Sequence, residues 1–308
     1  MYIHEQKNWP KFTWDAEIIT KILGSVRHRQ GLILGQMQAL GFRIQEETML
    51  KALTMDVIKS SEIEGELLNP EQVRSSIARR LGIEIAGALA AERNIDGIVE
   101  MMLDATQRYE TPLTDERLFD WHAALFPTGR SGMYKIKTAV WRDDVMQVTS
   151  GPMGKEIVHF EAPPASKVPS EMNVFLNWIE KYSDIDEVLK AGLAHLWFVT
   201  IHPFDDGNGR IARAITDMLL ARADKSSQRF YSMSAQIQSD RNKYYDILES
   251  TQKGNLDITE WLTWFLDCLM RSMEQTEEII KKTMVRAKFW KTNKETLFNA
   301  RQQKILQL

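Results

Sequence analysis

One run of twelve residues gathers most of the chain's candidate chemistry: His202-Pro203-Phe204-Asp205-Asp206-Gly207-Asn208-Gly209-Arg210-Ile211-Ala212-Arg213. Gly207 and Gly209 free the backbone just where the pattern predicts that a helix begins. A helix start exposes unpaired N–H groups and partial positive charge, so it attracts anions and phosphate above all. Arg210 and Arg213 lie three apart and share one helix face. Both fall in the first turn, where the macrodipole disfavours cations, and a bound polyanion accounts for them. Asp206 supplies an oxygen ligand suited to Mg²⁺, the usual companion of phosphates, and His202 supplies a base beside it. The bland alternative is a glycine corner between two helices with a packed histidine. A His, an Asp, two Gly, an Asn and two Arg within twelve residues argue against it.

The elements around this run are mainly helical. Residues 187–201 (EVLKAGLAHLWFVTI) and 211–222 (IARAITDMLLAR) predict apolar helices on either side of it. Upstream, helices are predicted over 16–42 and 44–64, the second carrying Leu50, Leu53 and Val57 on one stripe. It ends Ser60-Ser61-Glu62-Ile63-Glu64-Gly65, with Ser60 and Glu64 on one face and Gly65 as the stop. Alone, Glu64 reads as a surface carboxylate at a helix end, where the dipole disfavours it. Asn69-Pro70 opens a helix over 70–81, another is expected over 84–109, and Thr114 caps the next.

Residues 127–169 change character. Segments Thr138–Trp141, Val145–Val148 and Ile157–Phe160 carry β-formers, and Ser150–Gly154 reads as a turn. A β-hairpin is expected over 138–160. Gly151, Gly154 and Lys155 do not make a phosphate loop, because the spacing is short and Glu156 stands where Ser or Thr is needed. Helices resume from Val168, including a segment with adjacent Tyr244 and Tyr245, one of which suits the core and the other a pocket. A last helix opens near Asp257 and runs to about Lys282. The expected organisation is a helical region over 1–82, a core over 83–270, and a helix with a tail over 271–308.

The 308 residues are 44% hydrophobic and 26% charged with net charge −3, an ordinary globular balance without a basic field for nucleic acid. No apolar run reaches membrane-spanning length, and the N-terminus lacks a signal-peptide core. The single cysteine, Cys268, lies in an apolar pattern and excludes an internal disulfide framework. These features point to the cytoplasm. His28, between two arginines, reads as solvated.

The run at 202–213 matches the motif HPFx(D/E)GNGRxxR at each defined position, and so resembles the Fic-domain family. The hairpin, the VHFEAPP stretch and the segment from Ser232 to Tyr245 resemble it as well, over roughly 1–270. The resemblance implies a mostly helical Fic fold with a β-hairpin flap, and transfer of AMP from ATP to a protein hydroxyl. It implies that His202 deprotonates a Ser, Thr or Tyr hydroxyl, that Asp206 holds Mg²⁺, and that Gly207, Asn208 and Gly209 form the anion hole. Arg210 and Arg213 take the outer phosphates, Phe204 anchors the loop, and Tyr244 or Tyr245 packs near the adenosine.

Ser60-x-x-x-Glu64-Gly65 resembles the family's inhibitory motif, in which the glutamate pairs with the second arginine, here Arg213. A protein substrate docking on the flap is the expected partner, with automodification and a homodimer as further possibilities. The tail resembles the opening of a winged-helix module, which alone would bring DNA into play. The alternatives are transfer of another nucleotide monophosphate, removal of AMP, and a DNA-binding regulator with a sensing Fic module.

Overall fold

The protein is represented by a computed structural model that describes residues 1–151, 155, 157–181 and 184–292. Eleven α-helices and four short strands are found among these residues. The centre is a pair of helices, α7 (Glu187–Ile201) and α8 (Asn208–Asp224), packed along their length. Every residue of α7 from Val188 to Ile201 is buried, as is nearly all of α8. A helix apolar on all sides needs neighbours on all sides. Those packed against the pair include α4 (Arg93–Gln107), α6 (Val168–Glu180) and α11 (Thr259–Thr292), while α1 (Ala16–Gln38) lies along α11. Gly192 lets Phe265 approach α7, since a Cβ there would stand 2.9 Å from that ring.

Local signals explain most boundaries. Asp15 accepts from the Glu17 and Ile18 amides to start α1, and Asn69 does the same ahead of Pro70 to start α3 (Pro70–Leu81). Thr114 caps α5 (Asp115–Leu125), and Asp186 caps α7. α2 (Phe42–Ile63) ends with Gly65 at φ +83°, a left-handed conformation that suits glycine.

The structure corrects several expectations. The helix expected over 16–42 ends at Gln38. The helix expected over 84–109 begins only at Arg93. Ahead of it, the Leu89 and Glu92 amides donate to the side chains of Ser75 and Gln72 on α3, and the chain runs irregularly with a turn at 86–87. The last helix extends to Thr292, past the expected end.

The hairpin is smaller than 138–160. It consists of β3 (Gln147–Ser150) paired antiparallel with β4 (Ile157–Glu161), with a register shift between Val148 and Thr149. Thr138–Trp141 is not a strand, because Ala139 turns into the left-handed region at φ 57°. A second, minimal hairpin pairs β1 (Arg130–Ser131) with β2 (Tyr134–Lys135). The expected turn at Ser150–Gly154 lies partly, and the tail wholly, outside the described residues.

α2 is set against α8 in antiparallel register. Asp56, Ser60 and Glu64 recur every four residues on one face of α2. They meet Asp217, Arg213 and Gly209 respectively, which recur every four residues on α8. The deep end of this seam is a buried polar cluster. Arg229 pairs with Asp217 and Asp224, both at 3.0 Å, and Asp56 accepts from Ser232 Oγ and the Ser234 amide. Burial and the neighbouring Asp56 carboxylate hold Asp217 well above the usual carboxylate range. Buried polar networks of this kind favour one register, here the one that carries Glu64 over the start of α8.

Candidate active site

His202 ends α7 in the left-handed conformation, φ 52°. Its Nδ1–H donates to the Val199 carbonyl at 3.2 Å, which leaves Nε2 with its lone pair free. Burial lowers the imidazole's pKa, and Arg142 lowers it further, against the Val199 hydrogen bond and the charges of Glu64 and Asp206. The ring is therefore neutral at pH 7 and able to accept a proton.

The loop that follows is held from inside. Phe204 is fully buried, and Asn208 brackets its backbone, accepting from the Phe204 amide at 3.0 Å and donating to its carbonyl at 2.9 Å. Gly207 takes φ +80°, and a Cβ there would stand 2.9 Å from Phe126. Among the described residues no side chain caps α8, so the N–H groups of Asn208 and Gly209 remain available at the mouth of the site.

Asp206 faces a cleft of about 710 Å³ shared with Glu64, Glu66, Arg93, Asn94, Arg130, Ser131 and Arg210. Its carboxylate accepts from the Gly207 amide at 2.5 Å and from Ser131 Oγ. No cluster of three metal-ligating side chains exists among the described residues. A single carboxylate beside a phosphate-binding helix end suits Mg²⁺, which takes one or two carboxylates and completes its shell from phosphate and water.

Both arginines are buried and paired, and their partners come from the end of α2. Arg213 donates through Nε to Ser60 Oγ and through Nη2 to the Ser60 carbonyl and Glu64 Oε1, each at 2.8 Å. A Cβ on Gly209 would stand 2.2 Å from Glu64 Oε1, so that carboxylate lies directly over the first turn of α8. Arg213 Nη1 is buried close to the same spot with no hydrogen-bond partner assigned to it among the described residues, a donor suited to an anion. Arg210 Nη1 pairs with Glu66 Oε2 at 2.7 Å, and the guanidinium carbon Cζ lies 5.0 Å from the centre of the Phe126 ring. The anion-binding end of α8 thus holds two carboxylates of the chain's own.

Three residues outside the motif complete the arrangement. Arg142 is buried, and its guanidinium donates to the carbonyls of His202, Asp144, Pro163 and Ile201 while its amide donates to Pro203. It ties the base of the hairpin to the loop that begins at His202. Glu66 is the second acidic contact. His122 joins Ala139 to Asp206. None stood out in sequence, where each is one more charged or polar residue in its segment.

The two tyrosines separate, and Tyr244 is the one in the core. Its side chain is in the core, 3% exposed, with its hydroxyl 3.0 Å from His195 Nε2. Tyr245 reaches the Ile63 carbonyl at 3.4 Å beside Arg241, which donates to the same carbonyl. These contacts anchor the end of α2, where a cation complements the helix dipole.

Residues 112–220, which hold the motif and most of the cleft, match the Fic/DOC family. This segment is a Fic/DOC-family domain. Residues 2–83 match a second family, described as Domain of unknown function (DUF4172). Among curated proteins the chain resembles the Aquifex aeolicus (strain VF5) "Probable protein adenylyltransferase aq_aa38", 31% identical over 104 residues, 34% of this chain and 30% of that protein. It also resembles the Aedes aegypti "Protein adenylyltransferase Fic", 25% identical over 232 residues, 73% of this chain and 42% of that protein. The chain thus spans less than half the length of these relatives.

The Fic fold is shared with a Fic family protein of Desulfovibrio desulfuricans G20, with a TM-score of 0.64 at 22% identity over 88% of this chain and 77% of that one. A Fic-1 structure from C. elegans gives a TM-score of 0.61 at 19% identity over 87% of this chain and 74% of that one. Among the described residues no helix is long and apolar enough to cross a membrane.

Proposed function

We propose that this chain transfers AMP from ATP to a hydroxyl of a protein and that Glu64 holds the site closed at rest. The observation that carries the reading is the Glu64–Arg213 contact at 2.8 Å over Gly209, in a site otherwise complete. A buried arginine, an uncapped helix start and a neutral histidine with a free Nε2 suit a polyphosphate and a hydroxyl together.

In the proposed reaction Nε2 of His202 takes the proton of a Ser, Thr or Tyr hydroxyl. The oxygen attacks the α-phosphorus, the bond from that phosphorus to the α,β-bridging oxygen breaks, and pyrophosphate leaves. Asn208 and Gly209 present backbone N–H groups to the phosphate beside Gly207, whose own N–H is held by Asp206, and Arg210 and Arg213 hold the outer phosphates once free of Glu66 and Glu64. Mg²⁺ held by Asp206 would neutralise phosphate charge when bound. Catalysis here is positioning and charge stabilisation.

The target segment docks along the outer edge of β3, the strand of the flap that pairs only with β4 among the described residues. Exposed Val145, two residues before β3, adds apolar surface beside that strand.

The test is incubation of wild type and Glu64→Gly with α-labelled ATP, Mg²⁺ and a host lysate. The variant labels protein at least tenfold faster. Equal labelling refutes inhibition by Glu64, and offering the other three triphosphates identifies the preferred nucleotide.

A further inference from the structure

His122 lies on α5, outside the motif, with no exposed surface. Its Nδ1 is 3.1 Å from the Ala139 amide nitrogen, which can only donate, so Nδ1 accepts. The neutral ring then carries its proton on Nε2, which donates to the Asp206 carbonyl at 3.1 Å. Burial pushes the imidazole down to about 4, in keeping with this neutral form. The ring also stacks flat on Phe204, with centroids 4.2 Å apart and planes 10° apart. One side chain therefore joins the segment leading to the flap, the buried anchor of the catalytic loop, and the backbone of Asp206.

We infer that His122 is a positioning residue that fixes the Asp206 carboxylate for metal-bound ATP. This rests on the reading of Asp206 as the Mg²⁺ ligand. The carbonyl that His122 holds belongs to the peptide linking Asp206 to Gly207, and the amide of that peptide donates back to Asp206 Oδ1. Turning the peptide would therefore turn the carboxylate. Ser131 Oγ holds the other carboxylate oxygen from a different element. His122 touches no reacting atom, so its effect passes through Asp206.

Two substitutions separate its two hydrogen bonds. His122→Gln brings an amide NH₂ to the place of Nε2 and keeps the bond to Asp206. His122→Asn brings an oxygen to the place of Nδ1, keeping the bond to Ala139 and losing Asp206. Both are made in the Glu64→Gly chain, with Ser131→Ala as a third variant. ATP binding is measured by calorimetry with Mg²⁺ and again with EDTA, and thermal unfolding is recorded for each.

His122→Asn and Ser131→Ala should weaken Mg²⁺–ATP binding about tenfold and leave ATP binding in EDTA within about twofold. His122→Gln should stay within about threefold of the parent in both. Equal losses with Mg²⁺ and with EDTA, or no loss in His122→Asn, overturn the inference while leaving the functional reading intact. A Glu64→Gly parent that binds ATP equally with Mg²⁺ and with EDTA overturns both.

Discussion

Replacing Glu66 with alanine in the Glu64→Gly background isolates what the second carboxylate does. Glu66 Oε2 accepts from Arg210 Nη1 at 2.7 Å, and Arg210 is 8% exposed against 34% for Glu66. A charge-assisted hydrogen bond contributes about 1.5–3 kcal/mol, and the solvent around Glu66 brings this pair down to about 1 kcal/mol. Any phosphate that takes Arg210 must first displace Glu66, so removing Glu66 returns that energy to nucleotide binding. About 1 kcal/mol is roughly fivefold in affinity. Initial rates across an ATP titration should show KM falling about fivefold with kcat within about twofold, the signature of an effect on binding shared by ground and transition states. In wild type, Glu66→Ala alone should change the rate less than about twofold, because Glu64 still holds Arg213. Arg210 keeps its packing over Phe126, so the fold tolerates the change. An unchanged KM in the double variant, or a gain confined to kcat, would refute the competition between Glu66 and phosphate.

Three further predictions concern the base, the core and the cysteine. Burial lowers the His202 pKa, so the base stays neutral at and above pH 6.5 and is lost by protonation below it. The pH–rate profile of Glu64→Gly should be flat from about 6.5 to 8, with an acid limb below the histidine reference of about 6.5; a limb centred above 7 contradicts the assignment. Gly97→Ala should lower the melting temperature by several degrees, because its Cβ would stand 1.8 Å from the Ala124 carbonyl oxygen where α4 meets α5. Cys268 is buried and its thiol is pushed up by that burial, so iodoacetamide should leave it unmodified at pH 8 until the protein unfolds.

The sequence exposes what is local. The apolar pattern of α7 and α8 and the caps at Asn69 and Thr114 each follow from neighbours within a few residues. The chemistry of residues 202–213 was legible for the same reason, since its parts adjoin in the chain. Long-range pairings were not. Glu66 meets Arg210 across 144 positions, and Asp56 meets Asp217 through a helix–helix register that no local pattern encodes. Arg142 is an arginine in a polar stretch until its guanidinium is seen among four carbonyls.

The misread elements fail for a related reason. Residues 84–92 look helical, yet Ser75 and Gln72 offer their amides other acceptors. Thr138–Trp141 carries strand formers, yet Ala139 gives its N–H to His122 and turns left-handed. Tyr244 and Tyr245 are equivalent in composition, and only packing sends one to His195 and the other to the end of α2.

The central claim is that His202 drives AMP transfer at a site that Glu64 keeps closed. Mass spectrometry of protein incubated with ATP and Mg²⁺ tests it directly, comparing wild type, Glu64→Gly, and Glu64→Gly with His202→Ala. The account predicts AMP on protein hydroxyls with Glu64→Gly, at least tenfold less with wild type, and none with the double variant. AMP addition that survives His202→Ala, or that is equal with and without Glu64, would contradict it.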